Sequence, residues 1–298
     1  MTTPTNAVST VTAVGNREDL SNIIYDISPT STPFLSGISH GAATATNHEW
    51  QTDSIGTAAN NAQIEGNDST ATAAIASVRL GNNTQISTKV PMVTRTQREV
   101  DSAGRGDELD YQIMKSAKLM KNDMETALLA NKIKVTGTAS IARELAGIES
   151  WLSSNTNLGA GTGAAGSLGT TARVAGTPRA FDEAQLKAVL ASCWDNGGDP
   201  DTIMVGSTIK QAMSGIVNGG SAGAAQRVVD GNAATVHTAI DIYVSDFGSL
   251  AVVPNRFQVQ DSMLVLQMDM FAMASITDFT ETPLAKVGDS DKVLLVSE

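Results

Sequence analysis

The motifs in this sequence that could carry chemistry each lack the neighbouring elements that their chemistry requires. Residues 161–166 (GTGAAG) have the glycine spacing of a dinucleotide-binding turn, but polar residues precede them and more glycine follows, where a strand and a helix are needed. Residues 219–223 (GGSAG) match a hydrolase nucleophile turn, yet a helical segment leads into them. Residues 246–248 (DFG) match the magnesium-binding tripeptide of kinases without the His-Arg pair of a catalytic loop, so we predict a hairpin turn there.

Candidate metal ligands and nucleophiles are also few. The chain has three histidines and one cysteine, and His48 lacks a second histidine at position 52, where Thr52 stands. Cys193 follows an apolar stripe and precedes Trp194, which predicts a buried, inert thiol. Asp199 and Asp201 flank a proline, a pattern typical of solvated turns. We therefore predict no catalytic residue, no metal site and no cofactor, and we expect that the protein is not an enzyme.

Charge and composition exclude further classes. The 298 residues carry 20 Lys and Arg against 31 Asp and Glu, which gives a formal net charge of −11. Residues 1–88 contain no lysine and two arginines, Arg17 and Arg79, so a basic patch that grips phosphates is not expected. The same charge argues against docking on an anionic membrane, and the sequence predicts no membrane-spanning helix. A single cysteine excludes an intramolecular disulfide.

A long helix is the strongest element that the pattern predicts, over residues 107–134. Acidic residues stand at its start, lysines stand at its end, and Gly137 follows as a stop signal. Its apolar stripe is too rich in Ala and Met, and too short, for a coiled coil. The stripe consists of Leu109, Ile113, Ala117, Met120, Met124, Ala127 and Leu128.

A long hairpin is predicted over residues 46–94. Period-two alternation indicates strands near residues 48–52 and 84–92, and residues 57–72 between them are rich in Ala, Asn, Asp and Gly. A hairpin with so few bulky residues is marginal by itself, so we expect it to lie against another surface, such as a second copy of the chain.

The remaining segments predict a mixed α/β body with an extended amino-terminal arm. We expect a short helix with an apolar face over residues 17–27 and a Gly/Ala/Thr-rich loop without bulky anchors over residues 153–179. Helices are predicted at residues 181–194 and 207–217, a flexible loop at 218–225, and strands at 202–205, 236–244, 249–253, 263–276 and 292–296.

Several segments in this order resemble tailed-phage major capsid proteins of the Hong Kong 97-type fold. Each segment is short, and their order and spacing along residues 16–296 carry the resemblance. The segments are residues 50–53 (WQTD), 61–66 (NAQIEG), 78–82 (VRLGN), 84–87 (TQIS), 121–129 (KNDMETALL), 193–194 (CW) and 200–205 (PDTIMV).

The resemblance implies an α+β capsid fold and a domain organisation. The implied parts are an N-terminal arm at residues 1–45, an E-loop hairpin at 46–94, a P domain with its spine helix and flexible loop at 95–179, an A domain at 180–253, and P-domain strands at 254–298. It also implies hexamers and pentamers that form an icosahedral phage head around double-stranded DNA, without sequence-specific binding. A subunit of an encapsulin-type protein compartment is the alternative with the same fold.

Partners, location and contact residues follow from the same resemblance. The implied partners are further copies of the chain, a portal, and scaffolding or decoration proteins, with the scaffold expected as a separate protein or absent. The implied locations are the virion and, during assembly, the host cytoplasm. The candidate inter-subunit contacts are E-loop residues, namely Trp50, Ile55, Gln63, Ile64 and Glu65.

Two features depart from the family pattern. Some relatives crosslink an E-loop lysine to a neighbouring subunit, but no lysine precedes Lys89 here, so we predict a non-covalent shell. Relatives also continue with a further strand after a segment like residues 292–296. We expect either that this P-domain strand is missing or that a neighbouring subunit completes the sheet edge.

Overall fold

The structure is a computed structural model that describes residues 28, 30–68, 74–100, 104, 106–217, 226–230, 233–237, 240–286 and 288–298. Side chains are described in these ranges except within residues 216–239. The short helix predicted at residues 17–27 and the loop predicted at residues 218–225 lie outside the described residues.

The predicted long helix is present as α3, Glu108–Leu129, and 22 residues give it a length of about 33 Å. Its N-cap is Asp107, whose carboxylate accepts a hydrogen bond of 2.8 Å from the amide of Leu109. Met120 is 2% exposed and faces the core, as the predicted stripe requires. The stripe therefore identifies the buried face of the helix correctly.

The helix ends five residues before the predicted end, because tertiary hydrogen bonds replace its next turn. The side chain of Asn131 donates to the carbonyl of Arg173 at 2.7 Å and accepts from its amide at 2.8 Å. The amide of Lys134 donates to the carbonyl of Gly169 at 2.9 Å. The backbone is already extended at Ala130, so the prediction of a helix to residue 134 is wrong.

One sheet packs against α3 and is fully antiparallel. Its central strand β14, Ser290–Ser297, pairs with three partners. The partners are β13 (Thr280–Pro283), β4 (Ser87–Lys89) and β5 (Met92–Thr94). Buried apolar side chains of this sheet and of α3 form one core cluster, which consists of Val93, Leu109, Met120, Val293 and Leu295.

The extended hairpin consists of β2, Asn47–Thr52, and β3, Val78–Asn83, paired antiparallel from Asn47↔Asn83 to Thr52↔Val78. The prediction that residues 84–92 form its second strand is wrong. Those residues alternate as a strand does, but they pair with β14 in the sheet beneath α3. The hairpin as the structure has it therefore spans residues 47–83.

A second body contains a four-stranded sheet with both parallel and antiparallel strand pairs. Helices α5 (Glu183–Asp195) and α6 (Ser207–Val217) accompany it, close to their predicted ranges. Leu186 and Leu190 of α5 pack on one face of the sheet, against Ile203 and Val252. The strands are β6 (Thr202–Val205), β9 (Ile242–Ser245), β10 (Gly248–Pro254) and β11 (Met263–Leu266). Across the sheet they lie in the order β11-β6-β10-β9.

The opposite face of β6 joins the two bodies through a shared core. Met204 packs there with Phe34 and Leu129, so that one buried cluster contains the amino-terminal segment, the end of α3 and the second sheet. Residues 246–248 form the turn between the antiparallel strands β9 and β10, which confirms the predicted hairpin turn.

The shorter elements complete the α+β fold. The predicted strand at residues 263–276 is interrupted by a 3-10 turn at Met268–Met270. Strand β1 (Ser39–Ala42) pairs in parallel with β12 (Ala272–Ser275). The others are α1 (Pro33–Gly37), α2 (Arg95–Glu99), α4 (Ile148–Trp151), β7 (Gln226–Asp230) and β8 (Ala233–His237).

Residues 153–179 were predicted as a loop without anchors, and the structure anchors them. Antiparallel bridges join residue 160 to 177, 164 to 174 and 167 to 171. Gly166 lies so close to α4 that an added Cβ would stand 2.5 Å from the carbonyl oxygen of Ser150. Arg173 forms a salt bridge of 3.0 Å with the buried Glu149. Small residues here permit close backbone packing, which the composition alone does not reveal.

Candidate assembly surfaces

The described residues contain no group of three or more His, Cys, Asp or Glu side chains that could hold a metal ion. Residues 161–166 lie in the bridged loop, between neither a strand nor a helix, as predicted. Residues 219–223 lie outside the described residues. Within the described ranges, no helix is both long and apolar enough to cross a membrane.

Cys193 is half-buried, and its burial raises the pKa of the thiol. A raised pKa disfavours the nucleophilic thiolate, but Cys193 was predicted to be buried and is only half-buried. Trp194, predicted on the buried side of the same helix, is 55% exposed. It stacks on Phe247 with ring centroids 5.5 Å apart, because the β9–β10 turn reaches across to α5. The burial of Trp194 is therefore a wrong prediction.

The described residues beyond the hairpin strands, 53–68 and 74–77, are exposed to solvent. Ile55 is fully exposed and Ile64 is 85% exposed, although both are large apolar side chains. Gln63 accepts a hydrogen bond of 2.6 Å from Asn67, four residues away, and Glu65 is exposed. Exposure of isoleucine side chains to water is unfavourable in free energy. An assembly in which a neighbouring subunit buries these side chains is therefore stabilised.

Trp50, another predicted contact residue, packs within its own chain. Its ring lies 5.3 Å from the ring of Trp151 between centroids, and the amine of Lys134 lies 6.0 Å from the Trp151 ring centre. Trp50 nevertheless remains 38% exposed. The structure brings Trp50 to the root of the hairpin and leaves Ile55, Gln63, Ile64 and Glu65 beyond its strands.

The root of the hairpin is held by polar contacts to the segment that follows α3. The amine of Lys134 donates to the carbonyl of Gly81 at 2.7 Å. The side chain of Asn82 donates to the carbonyl of Ala146 at 3.2 Å and accepts from its amide at 2.9 Å. Hydrogen bonds to its own subunit therefore hold the base of the hairpin, whereas the described residues beyond its strands are exposed.

The amino-terminal segment is held by a buried carboxylate that the sequence pattern missed. Glu125 is 0% exposed, although it is not one of the stripe residues that predict the buried face of the helix. It accepts hydrogen bonds from the amide of Phe34 at 3.0 Å and from the side chain of Asn255 at 2.6 Å. Glu125 lies outside the predicted apolar stripe of α3, so no pattern within the helix signalled its burial.

A second buried network ties the loop at residues 153–179 to the two bodies. Glu149 is 1% exposed, and it accepts hydrogen bonds from Arg173 and, at 2.5 Å, from the hydroxyl of Ser262. Arg143 contacts Glu298, which also accepts a hydrogen bond of 3.0 Å from Thr84. The buried carboxylate of Glu149 is thus paired with Arg173, which offsets the cost of burying its charge, and Arg143 and Glu298 form a partly buried pair. These contacts join distant segments of the same subunit.

The second sheet presents an apolar edge. Strand β9 is its terminal strand, with Ile242 65% exposed and Val244 76% exposed. An edge strand has unpaired backbone groups on one side, and exposed apolar side chains beside them favour contact with another chain. Apolar side chains are thus exposed both at the hairpin end and at this sheet edge. Such surfaces suit a subunit of a larger assembly.

Comparisons with known proteins agree with this interpretation. Residues 3–298 match the family described as SU10 major capsid protein. The chain is 24% identical over 317 residues to a major capsid protein of Escherichia phage Phieco32, with 95% of this chain and 90% of the relative covered.

Solved structures share the fold. The capsid of a native GTA particle superposes with a TM-score of 0.63 at 16% identity, covering 98% of this chain and 93% of the other. The capsid asymmetric unit of cyanophage A-1(L) superposes with a TM-score of 0.64 at 14% identity, covering 99% and 94%.

Proposed function

Because the chain belongs to the SU10 major capsid protein family, we propose that its copies form hexamers and pentamers that close an icosahedral phage head around double-stranded DNA. The protein is a structural capsid protein of the virion, and the predicted α+β capsid fold of the Hong Kong 97 type is confirmed. The family match favours a virion capsid over the encapsulin-type compartment.

The observation that supports the proposal is the exposure of the hairpin end. Ile55 and Ile64 are left uncovered by the described part of their own chain, and hydrogen bonds hold the hairpin root. Neighbouring subunits supply the missing burial, and many modest contacts of this kind give cooperative closure of a shell. Trp50, Gln63 and Glu65 complete the proposed contact set.

In this proposal residues 46–94 act as the E-loop region, residues 95–179 and 254–298 as the P domain, and residues 180–253 as the A domain. Strands β4 and β5 belong to the sheet beneath α3, so the part that reaches a neighbour is the hairpin at residues 47–83. The edge strand β13 is the place where a neighbour completes that sheet.

The partners and location extend the proposal. The subunit catalyses no reaction, assembles in the host cytoplasm, and meets a portal and separate scaffolding or decoration proteins. A net charge of −11 suits a shell in which DNA slides along the inner wall without adhering to it. Binding of free DNA by isolated subunits at physiological salt would count against this part.

The shell is held together without covalent crosslinks. Residues 52–78 contain no lysine, so the hairpin end has no amine to donate to a neighbour. Boiled particles should run as one 30.9 kDa band on a denaturing gel. A ladder of covalent oligomers would contradict this expectation.

The decisive experiment is electron microscopy of the purified full-length chain at high concentration, with and without co-expressed phage scaffolding protein. Closed shells of uniform size are the expected result. A compact monomer under both conditions, with the hairpin end protected from proteases, would overturn the proposal. Shells that enclose a cargo enzyme and no DNA would favour the encapsulin alternative.

A further inference from the structure

A partly enclosed cavity of about 160 Å³ lies between the root of the hairpin and α3 of the same subunit. Strand β2 lines it with His48 and Trp50, α3 with Met124 and Leu128, and β12 with Met273. Every residue that lines the cavity belongs to the described part of the chain. An apolar cavity of about 150 Å³ holds one benzene molecule, so a single small ring has room here.

The lining of the cavity favours a neutral ligand with an apolar body. Ala127 and Leu145 extend its apolar wall. No lysine or arginine lines the cavity, and Glu298 is the one acidic residue that does. Glu298 already contacts Arg143 and accepts a hydrogen bond of 3.0 Å from Thr84. A charged ligand would therefore lose its hydration without gaining a free counter-charge.

One polar group at the cavity has no partner within the described part of the subunit. Asn83 lines the cavity and is 9% exposed, and the nitrogen of its side-chain amide is buried without a hydrogen bond. The neighbouring Asn82 differs, because its side chain both donates to and accepts from the backbone of Ala146. A buried donor without an acceptor costs free energy, so a ligand that supplies an acceptor is stabilised at this place.

We propose that this cavity binds a small neutral ligand with a ring-sized apolar body and one hydrogen-bond acceptor. The acceptor receives the hydrogen bond of the Asn83 amide, and the ring packs against Trp50, Met124 and Met273. Because β2 and α3 both line the cavity, the bound ligand joins the hairpin root to the long helix of the same subunit. The contact lies within one subunit, so it does not depend on the proposed shell.

Pyridine and benzene are the probes, because they have the same size and differ in one acceptor nitrogen. Unassembled full-length subunits with isotope-labelled methionine methyl groups are titrated at a pH at which pyridine is neutral. Both probes should shift the methyl resonances of Met124 and Met273 with a Kd on the order of 1 mM. The methyl of Met213, in the core of the second body, should not respond. The absence of a saturable shift at Met124 and Met273 would overturn the proposal.

Asn83→Leu tests recognition of the acceptor. It removes the donor with little change in volume, so the ratio of pyridine affinity to benzene affinity should fall about fivefold relative to wild type. Comparing ratios cancels the different hydration of the two probes. An unchanged ratio would contradict the role of Asn83. N-methylpyridinium, a cation of similar size without the acceptor, should not bind, and affinity equal to that of pyridine would contradict a neutral ligand.

Ala127→Leu tests the place of binding, and it decides the proposal even where Asn83→Leu does not fold. The larger side chain occupies the cavity from α3, so both probes should bind at least about tenfold more weakly. The matched control is Ala191→Leu, the same change at a half-buried position of α5 that does not line the cavity. This control should bind both probes as wild type does. Wild-type affinity in Ala127→Leu would show that the probes bind elsewhere.

Hydrogen exchange tests the link between the hairpin root and α3. The amide of Thr84 lies at the cavity and donates to the carbonyl of Thr46 at 2.9 Å. With pyridine at about ten times its Kd, openings that destroy the site become about elevenfold rarer, so exchange at Thr84 should slow by that factor. The amide of Val252, which donates to the carbonyl of Asp241 in the second body, is the control and should exchange at an unchanged rate. Unchanged exchange at Thr84 despite binding would contradict the link.

Discussion

The carboxylate of Glu125, in the last two turns of α3, accepts a hydrogen bond of 2.7 Å from the backbone amide of Leu35, ninety residues earlier in the chain. Its other oxygen accepts from the amide of Phe34 at 3.0 Å, so one buried side chain satisfies two adjacent donors of the first turn of α1. The contact holds the amino-terminal segment on the long helix.

Replacing Glu125 with alanine should destabilise the subunit by about 3 kcal/mol, because buried amide donors would lose their acceptor. The measurement is chemical unfolding, together with hydrogen exchange at the amides of Phe34 and Leu35, which should become faster. Thr126→Ala, at the exposed neighbouring position, is the control and should change stability by less than about 0.5 kcal/mol. Unchanged exchange at Phe34 and Leu35 would show that the carboxylate does not hold the segment.

The buried face of α3 gives a second prediction. Met120 is 2% exposed, whereas the adjacent Leu119 is 48% exposed. Met120→Asp should cost about 4 kcal/mol or more and leave little folded protein, since it places an unpaired charge in the core. Leu119→Asp should change the free energy of unfolding by no more than about 1 kcal/mol. Equal thermal unfolding of the two variants would mean that the helix face is misassigned.

Acid stability should depend on Arg98. Its guanidinium donates to Asp107 at 3.1 Å and to Asp291 at 2.7 Å. The hydrogen bond from Arg98 lowers the pKa of Asp107, and hydrogen bonds from Lys286 and Arg98 lower the pKa of Asp291. A carboxyl whose pKa is lower in the folded state contributes stability above its unfolded pKa, near 3.9, and loses it as the pH falls toward the folded value.

Wild type should therefore lose stability more steeply than Arg98→Gln as the pH falls below about 4, measured by chemical unfolding at a series of pH values. Arg79→Gln removes an exposed pair with Glu49 and serves as the control with a wild-type profile. Parallel pH profiles for wild type and Arg98→Gln would contradict the role assigned to these hydrogen bonds.

Elements with strong local patterns were predictable from the sequence. The stripe through Leu109 and Met120 identified α3 and its buried face, and the Thr202–Val205 strand and Ser207–Val217 helix lie where the sequence predicts them. These elements depend on periodicity and on local stop signals, which short-range physics determines.

Features that depend on distant partners were not predictable in the same way. Alternation in residues 84–92 indicated a strand but could not show that its partner is β14, about two hundred residues later. The end of α3 depends on Asn131 meeting Arg173. The burial of Glu125 depends on the amides of α1, which no pattern within α3 encodes.

The candidate assembly surfaces were predictable in part. The scarcity of bulky residues in 57–72, where Ile64 is the one large apolar side chain, predicted a segment that cannot bury itself, and Ile64 and the nearby Ile55 are exposed. Trp50 was among the contact residues that the resemblance implies, but its packing on Trp151 required the three-dimensional structure.

Removal of the hairpin end separates folding from assembly. The described residues beyond the strands make short-range contacts, such as the bond of 3.0 Å from the amide of Asn67 to the carbonyl of Ile64, while Trp50 and Asn82 hold the root. A variant with residues 57–72 replaced by a short Gly-Ser linker should therefore unfold within about 1 kcal/mol of wild type, because the core clusters are untouched.

The same variant should fail to close shells in electron micrographs, since it lacks Ile64, Glu65 and Asp68. A matched control inserts the same Gly-Ser linker between residues 196 and 197, in an exposed turn at the end of α5. This control should leave shells intact. Normal shells from the deletion variant would show that the hairpin end is dispensable, because contacts elsewhere, such as the β9 edge, would then suffice for closure.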